Sequence, residues 1–192
     1  MSTLLSAVSE PGSQPALEAV GIPSLFLLVT LGSLVPVVPT GALVSSAAVV
    51  GFHARAPFTL LIVFGVAAFA AFLGDAVLYW AGRRGMRSKG GSRWLRRLQE
   101  RADPGRIETA QRQLERNTVA VLVVSRLVPA GRLPVMVAFL LAEVDWRRFV
   151  RGDAVACLAW AALYQAIGIL GGSLFPEPWQ GVAAAVTITV LI

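Results

Sequence analysis

Two arginines stand where lipid is expected. Arg126 lies in an apolar stretch, residues 118–128, that is otherwise interrupted only by Ser125. Arg132 follows six positions later, in the break Pro129-Ala-Gly131-Arg132-Leu-Pro134 that precedes a second apolar stretch, residues 135–142. A bare arginine deep in a bilayer costs about 2.5–3.5 kcal/mol on insertion scales, so two this close call for a purpose. Guanidinium keeps its charge and grips a phosphate in a two-pronged fork. The neighbouring prolines and glycine expose backbone N–H groups, which also suit an anion. A lipid phosphate is the natural ligand of Arg126 and Arg132. The competing expectation is structural: both arginines snorkel to the interface or pair with carboxylates.

Asp75 and Asp153 are the acids placed to answer them. Asp75 is the only charge in residues 56–81, with Tyr79 one helical turn on and Arg83 two turns on. Asp153 lies one turn inside another long apolar run, near Arg151. Each must find a cation or take a proton, and taking a proton would couple transport to protons. Ser45, Ser46 and Ser125 have no histidine in their own segments, and there is no phosphate-cradling P-loop or GxSxG. An enzyme is therefore not expected. The single cysteine, Cys157, reads as a small buried apolar residue and the single histidine, His53, as a loop residue. No Cys/His cluster has zinc spacing, so neither a metal nor a cofactor is expected.

These residues need membrane elements to hold them. The chain has 192 residues, 56% hydrophobic and 15% charged, with a mean hydropathy of +0.69; soluble domains average nearer a quarter charged. Residues 1–21 are polar and small. Apolar residues 22–35 and 42–52 flank Pro36-Val-Val-Pro39-Thr-Gly41. Neither arm reaches the roughly 20 residues of a full span, which predicts a re-entrant hairpin, with one long kinked helix as the alternative. Residues 118–142 repeat the pattern around Pro129, Gly131 and Pro134. Residues 56–81 and 146–170 are long enough to cross, and residues 181–192 form a shorter apolar end. Residues 83–117 hold eleven Lys or Arg against four acids. Within them Trp94, Leu95 and Leu98 predict a helix lying on the membrane surface, and Asp103-Pro104 a helix start. Between membrane segments, this charge fits anionic lipid at the cytosolic face better than nucleic acid.

Residues 83–117 and the patch 147–151 hold fourteen of the seventeen Lys and Arg. The positive-inside rule puts both in the cytosol. The first hairpin then enters from outside and residues 56–81 cross inward. The second enters from the cytosol, residues 146–170 cross outward, and the last helix heads back in. Trp80 and Trp146 fall at the cytosolic interface and Trp179 at the outer one. Val38-Pro39-Thr-Gly41-Ala-Leu43 parallels Val128-Pro129-Ala-Gly131-Arg-Leu133, and Leu78-Tyr79-Trp-Ala81 parallels Leu163-Tyr164-Gln-Ala166. Halves of the same order and opposite sense are the inverted-repeat design of many transporters.

With these pieces in order, residues 33–172 resemble the DedA family, also called the SNARE-associated or VTT family. The resemblance rests on Pro36 and Pro39, on Gly74-Asp75 with Tyr79 and Gly82-Arg83, and on Ser125-Arg126-Leu-Val-Pro129-Ala-Gly131-Arg132, like the family's Arg-Phe-x-Pro-x-x-Arg; Trp160 also fits. It implies two opposed re-entrant hairpins and translocation of undecaprenyl phosphate or phospholipids. It also implies a role for proton-motive force, and it marks Arg126 and Arg132 as the essential arginines. One departure stands out. Many members carry acids in and before the first hairpin, whereas here no carboxylate lies between residues 19 and 74. Asp75 or Asp153 would have to substitute, or the protein would be an uncoupled scramblase.

The expected fold is an all-α membrane protein: two opposed re-entrant hairpins plus transmembrane helices in an inverted repeat. A polar segment, 1–21, precedes one membrane domain, 22–192. That domain divides into a first half-repeat (22–82), a basic cytosolic loop (83–117), a second half-repeat (118–172) and a C-terminal helix (173–192). The expected function is flippase or scramblase for a phosphate-headed lipid in a bacterial inner membrane. The alternatives are a proton-coupled small-ion transporter or a membrane scaffold. Partners are membrane lipids, with a homo-oligomer left open and no nucleic acid.

Overall fold

A computed structural model describes residues 14–34, 39–86, 88, 112, 114, 116–127 and 131–191. Seven helices are named among the described residues: α1 (Gln14–Leu34), α2 (Thr40–His53), α3 (Pro57–Met86), α4 (Thr118–Leu127), α5 (Arg132–Leu141), α6 (Trp146–Leu174) and α7 (Pro178–Leu191). The hairpin prolines Pro36 and Pro129 lie outside the described residues. So do the surface helix expected around Trp94 and the helix start expected at Asp103-Pro104.

One boundary differs from expectation. Helix α1 begins at Gln14, inside the stretch read as polar. Pro15 is no obstacle there, because first-turn N–H groups have no partner within a helix. Pro23 lies in the interior of the same helix. It removes one backbone donor, a loss that membrane helices tolerate where neighbours re-satisfy the backbone.

Helices α3 and α6 have 30 and 29 residues. At 1.5 Å per residue each runs to about 45 Å, beyond the roughly 30 Å of a hydrocarbon core. Only 39% of the most apolar part of α3 and 44% of that of α6 is buried in the protein. Phe58, Leu61 and Phe69 on α3, and Leu170 and Leu174 on α6, all face outward. A water-facing surface would not carry so many large apolar side chains. Lipid is the solvent that suits them, and the chain is a membrane protein. Helices α2, α4 and α5, of 14, 10 and 10 residues, are too short to cross.

Helix α6 is the hub, packing against α2, α3, α4 and α7, while α1 packs on α3. Glycines allow these approaches. A Cβ at Gly168 would run into the Ser45 carbonyl of α2, and Gly171 of α6 and Gly181 of α7 sit backbone to backbone. Small residues at crossings are how helices pack where lipid removes the hydrophobic drive between them.

Two apolar cores result. One joins Val29, Val44, Val49, Ala67 and Ala71 to Cys157 and Trp160. The other joins Tyr79, Leu122, Met136, Phe139 and Phe149. Tyr79 stacks on Phe149 with centroids 3.9 Å apart and donates to the Val144 carbonyl at 2.7 Å. On α3, Ala71 belongs to the first core and Tyr79 to the second. Asp75 lies one turn from each, at the seam.

Helices α2 and α5 end alike. The N–H groups of Ala54, Arg55 and Ala56 bond to the carbonyls of Val50, Phe52 and Gly51; those of Ala142, Glu143 and Val144 bond to Ala138, Leu140 and Phe139. Arg55 and Glu143 both take a left-handed φ of 50°. This is the Schellman closure, which glycine usually supplies. Each closure turns a short helix straight into a long one.

Candidate functional site

Five segments converge on one buried charge cluster at that seam. The end of α1 brings the Ser33 carbonyl, α3 brings Asp75, the end of α4 brings Arg126, and the start of α5 brings Arg132. Helix α6 brings Asp153, Cys157 and Trp160. Glycines admit the approaches here as well: a Cβ at Gly74 would collide with Ser33, and one at Gly152 would lie 2.7 Å from Thr118. The residue after each of these glycines is the aspartate of the cluster.

Asp75 accepts from both arginines, through Oδ2 from Arg126 and through Oδ1 from Arg132. Arg126 also reaches Asp153 at 3.3 Å and the Cys157 sulfur at 2.9 Å. Its guanidinium lies 6.0 Å from the centre of the Trp160 ring. Arg132 donates to the Ser33 carbonyl as well. Arg126 gains from its own helix end, while Arg132, which starts α5 at that helix's positive pole, gains from the end of α1. The last carbonyls of a helix are unpaired and carry its negative pole; Arg126 is in the last turn of α4, and Arg132 meets the last turn of α1.

Burial makes these contacts matter. The side chains of Asp75 and Asp153 are 1% exposed and that of Arg126 is 5% exposed. Arg132 is 19% exposed, and its buried Nε has no acceptor among the described residues. Charges removed from water need partners, because an unpaired one is costly. Of the two arginines, Arg132 is the one with surface and a donor to spare.

Asp75, Asp153 and Cys157 offer donor atoms within 4.8 Å of one another, a spacing that could hold a metal ion. Each of them already faces the permanent cation Arg126, and a second cation there would be repelled. The donor set fits the guanidinium it already meets better than a metal.

Sequence reasoning named four members of this cluster, Asp75, Arg126, Arg132 and Asp153, and the structure brings all four together. Carboxylate pairing of the arginines, held open as the structural alternative, is what the geometry contains. Arg83 does not pair with Asp75 but lies over the Tyr79 ring at 6.0 Å. Pro39 caps the start of α2 and Gly131 that of α5. Gly41 abuts the Tyr164 ring, where a Cβ would fall 2.5 Å from it. Pro134 sits in the first turn of α5. Cys157 and the Ser33 carbonyl were missed. A signal was there for the α6 side: Gly-Asp-Ala-Val occurs twice, at 74–77 and at 152–155.

A family profile described as the VTT domain matches residues 22–170. The chain belongs to the DedA family, whose domain this is. The match takes in the whole cluster, α3, α6 as far as residue 170, and α2, α4 and α5. No curated protein and no solved structure matches the chain.

Proposed function

We propose that this DedA protein moves a phosphate-headed lipid, undecaprenyl phosphate or a phospholipid, across a bacterial inner membrane. The observation that carries the reading is Arg132: buried enough to act in low dielectric, partly exposed, and holding a donor without an acceptor among the described residues. A lipid phosphate offers that donor an acceptor in fork geometry.

The topology we propose has α1 and α2 as a re-entrant hairpin from outside and α4 and α5 as one from the cytosol. Helix α3 runs inward and α6 outward, with the loop 83–117 cytosolic. Three features support an inverted repeat. The matching Schellman closures end the second helix of each hairpin. Tyr79 of α3 bonds to Val144, beyond the second hairpin, while Tyr164 of α6 packs on Gly41 of the first. Asp75 and Asp153 each follow a glycine in a Gly-Asp-Ala-Val stretch on the long helix of its half, and both contact Arg126. Irregular backbone within the membrane is tolerated where it lines a site.

The carboxylates then have a role in the cycle. In the structure Asp75 occupies the arginines that a phosphate would need. Protonating it releases both guanidinium groups, and a departing phosphate returns them. Protons would drive transport through Asp75, with Asp153 keeping Arg126 in place.

The test is translocation of undecaprenyl phosphate in proteoliposomes, wild type against Arg132→Ala, with and without a pH gradient. Movement that requires Arg132 and responds to the gradient is expected. Equal movement by the variant, shown to be folded, would overturn the phosphate clamp.

A further inference from the structure

His53, the one histidine of the chain, was expected in a loop; it is the last residue of α2. Two helix ends converge on its ring. Nδ1 lies 3.1 Å from the Val49 carbonyl, one turn back on the same helix, and Nε2 lies 3.3 Å from the carbonyl of Phe175. Phe175 caps the end of α6 in an extended conformation, at φ −118° and ψ 128°. The next residue, Pro176, has no N–H to bond back to the last turn of α6. The backbone closure that ends α2 and α5 is therefore not available there, and a side chain from α2 meets that end instead. Gly172 lets the two ends touch, for a Cβ there would lie 2.9 Å from the Phe52 ring.

Both partners of the ring are carbonyls, which only accept. A neutral imidazole has one N–H and one lone pair, whereas the imidazolium has two N–H groups. In either neutral tautomer one nitrogen turns its lone pair on a carbonyl oxygen. Only the protonated ring donates to both, and it brings positive charge to the negative poles of two helices. Few other charges bear on it. Arg55 lines the same cavity of about 740 Å³, between the end of α2, the start of α3 and the end of α6, and its charge opposes protonation. Glu177, two residues past Phe175, favours it. Among the described residues these three elements bring no other charged side chain to the cavity.

We infer that His53 is an acid-set latch: its imidazolium ties the end of α2 to the turn between α6 and α7, and loss of the proton slackens the tie. The contact is complete at low pH and weakens as pH rises through the range, about 5 to 8, in which histidine changes charge. On the proposed topology the latch faces the outer water and holds the second arm of the first hairpin to the hub helix. It does not rest on lipid transport, because it is read without substrate and shares no residue with the buried cluster.

The experiment uses the full chain in phosphatidylcholine nanodiscs at about pH 5 and about pH 8. Backbone amide exchange in residues 173–181 is followed by mass spectrometry for wild type and His53→Gln. The ratio of the two at each pH cancels the intrinsic pH dependence of exchange. Glutamine does not titrate and offers donors at one end only. Exchange should be about fivefold faster in the variant at the lower pH, the worth of one hydrogen bond, and alike in both proteins at the higher. Nitrogen NMR of wild type labelled at its single histidine keeps the test open if the variant fails to fold. At the lower pH both ring N–H protons should be visible, held from water by their carbonyls, whereas a free imidazolium loses them to exchange. A ratio that does not change with pH overturns the latch, and so does a ring without both N–H signals at the lower pH. Arg132→Ala should keep the slow exchange of wild type at the lower pH; its loss there would assign the effect to the buried cluster and overturn the latch as well.

Discussion

Asp75 meets a guanidinium through each carboxylate oxygen, whereas Asp153 meets Arg126 alone, at 3.3 Å. Removing one partner of a buried pair strands the other, at about 3–5 kcal/mol. Asp75→Ala strands two arginines and Asp153→Ala leaves Arg126 with Asp75. Thermal unfolding in detergent should therefore show a loss in that range for Asp75→Ala and a smaller one for Asp153→Ala. Equal losses would mean that the two acids share the arginines evenly. Arg132→Lys tests the fork: an ammonium keeps the charge but cannot hold Asp75 and a phosphate in two directions. Transport by that variant should fall to the level of Arg132→Ala. At this scale the sequence was informative because intramembrane charge is costly, so Asp75, Arg126, Arg132 and Asp153 announce themselves by type. Which acid holds which arginine was not legible. Asp75 and Arg126 are 51 positions apart, and α3 is apolar on every side, so no periodic pattern says which way Asp75 points.

Helix crossings set the tolerance of the glycines. Gly168 packs on the Ser45 carbonyl, which cannot move aside, while Gly65 of α3 has nothing within 4 Å of its Cβ direction. Gly65→Ala should stabilise by up to about 1 kcal/mol through helix propensity, and Gly168→Ala should lower the melting temperature by forcing α2 from α6. The Schellman closures offer the opposite opportunity. Glu143 sits at a φ of 50°, where a side chain costs roughly 1–2 kcal/mol. Glu143→Gly should raise stability by a similar amount, read from the same melts. Long elements were easy to foresee: all but the first of residues 56–81 lie within α3, and residues 146–170 lie within α6. The start of α1 was not, because residues 14–21 lack an apolar stripe. The closures at Arg55 and Glu143 carry no glycine to mark them.

On α3 the two apolar cores are separated by the charged Asp75, one turn from Ala71 and one from Tyr79. In the proposed cycle, movement of one half against the other would pass through the arginine–aspartate contacts, which a proton on Asp75 or a phosphate on the arginines would weaken. Two fixed cations there face two carboxylates. One negative charge of a phosphodiester, arriving with one proton, leaves that balance unchanged. The loaded site would then cross the membrane field with no net charge, escaping the roughly 2.3 kcal/mol that each unit charge meets per 100 mV. A potassium diffusion potential set by valinomycin should leave the flux of a phospholipid whose only charge is its phosphodiester unaltered, while a pH gradient of equal driving force should change it. Energetically, the buried cluster would make this protein a reader of acidity and not of voltage.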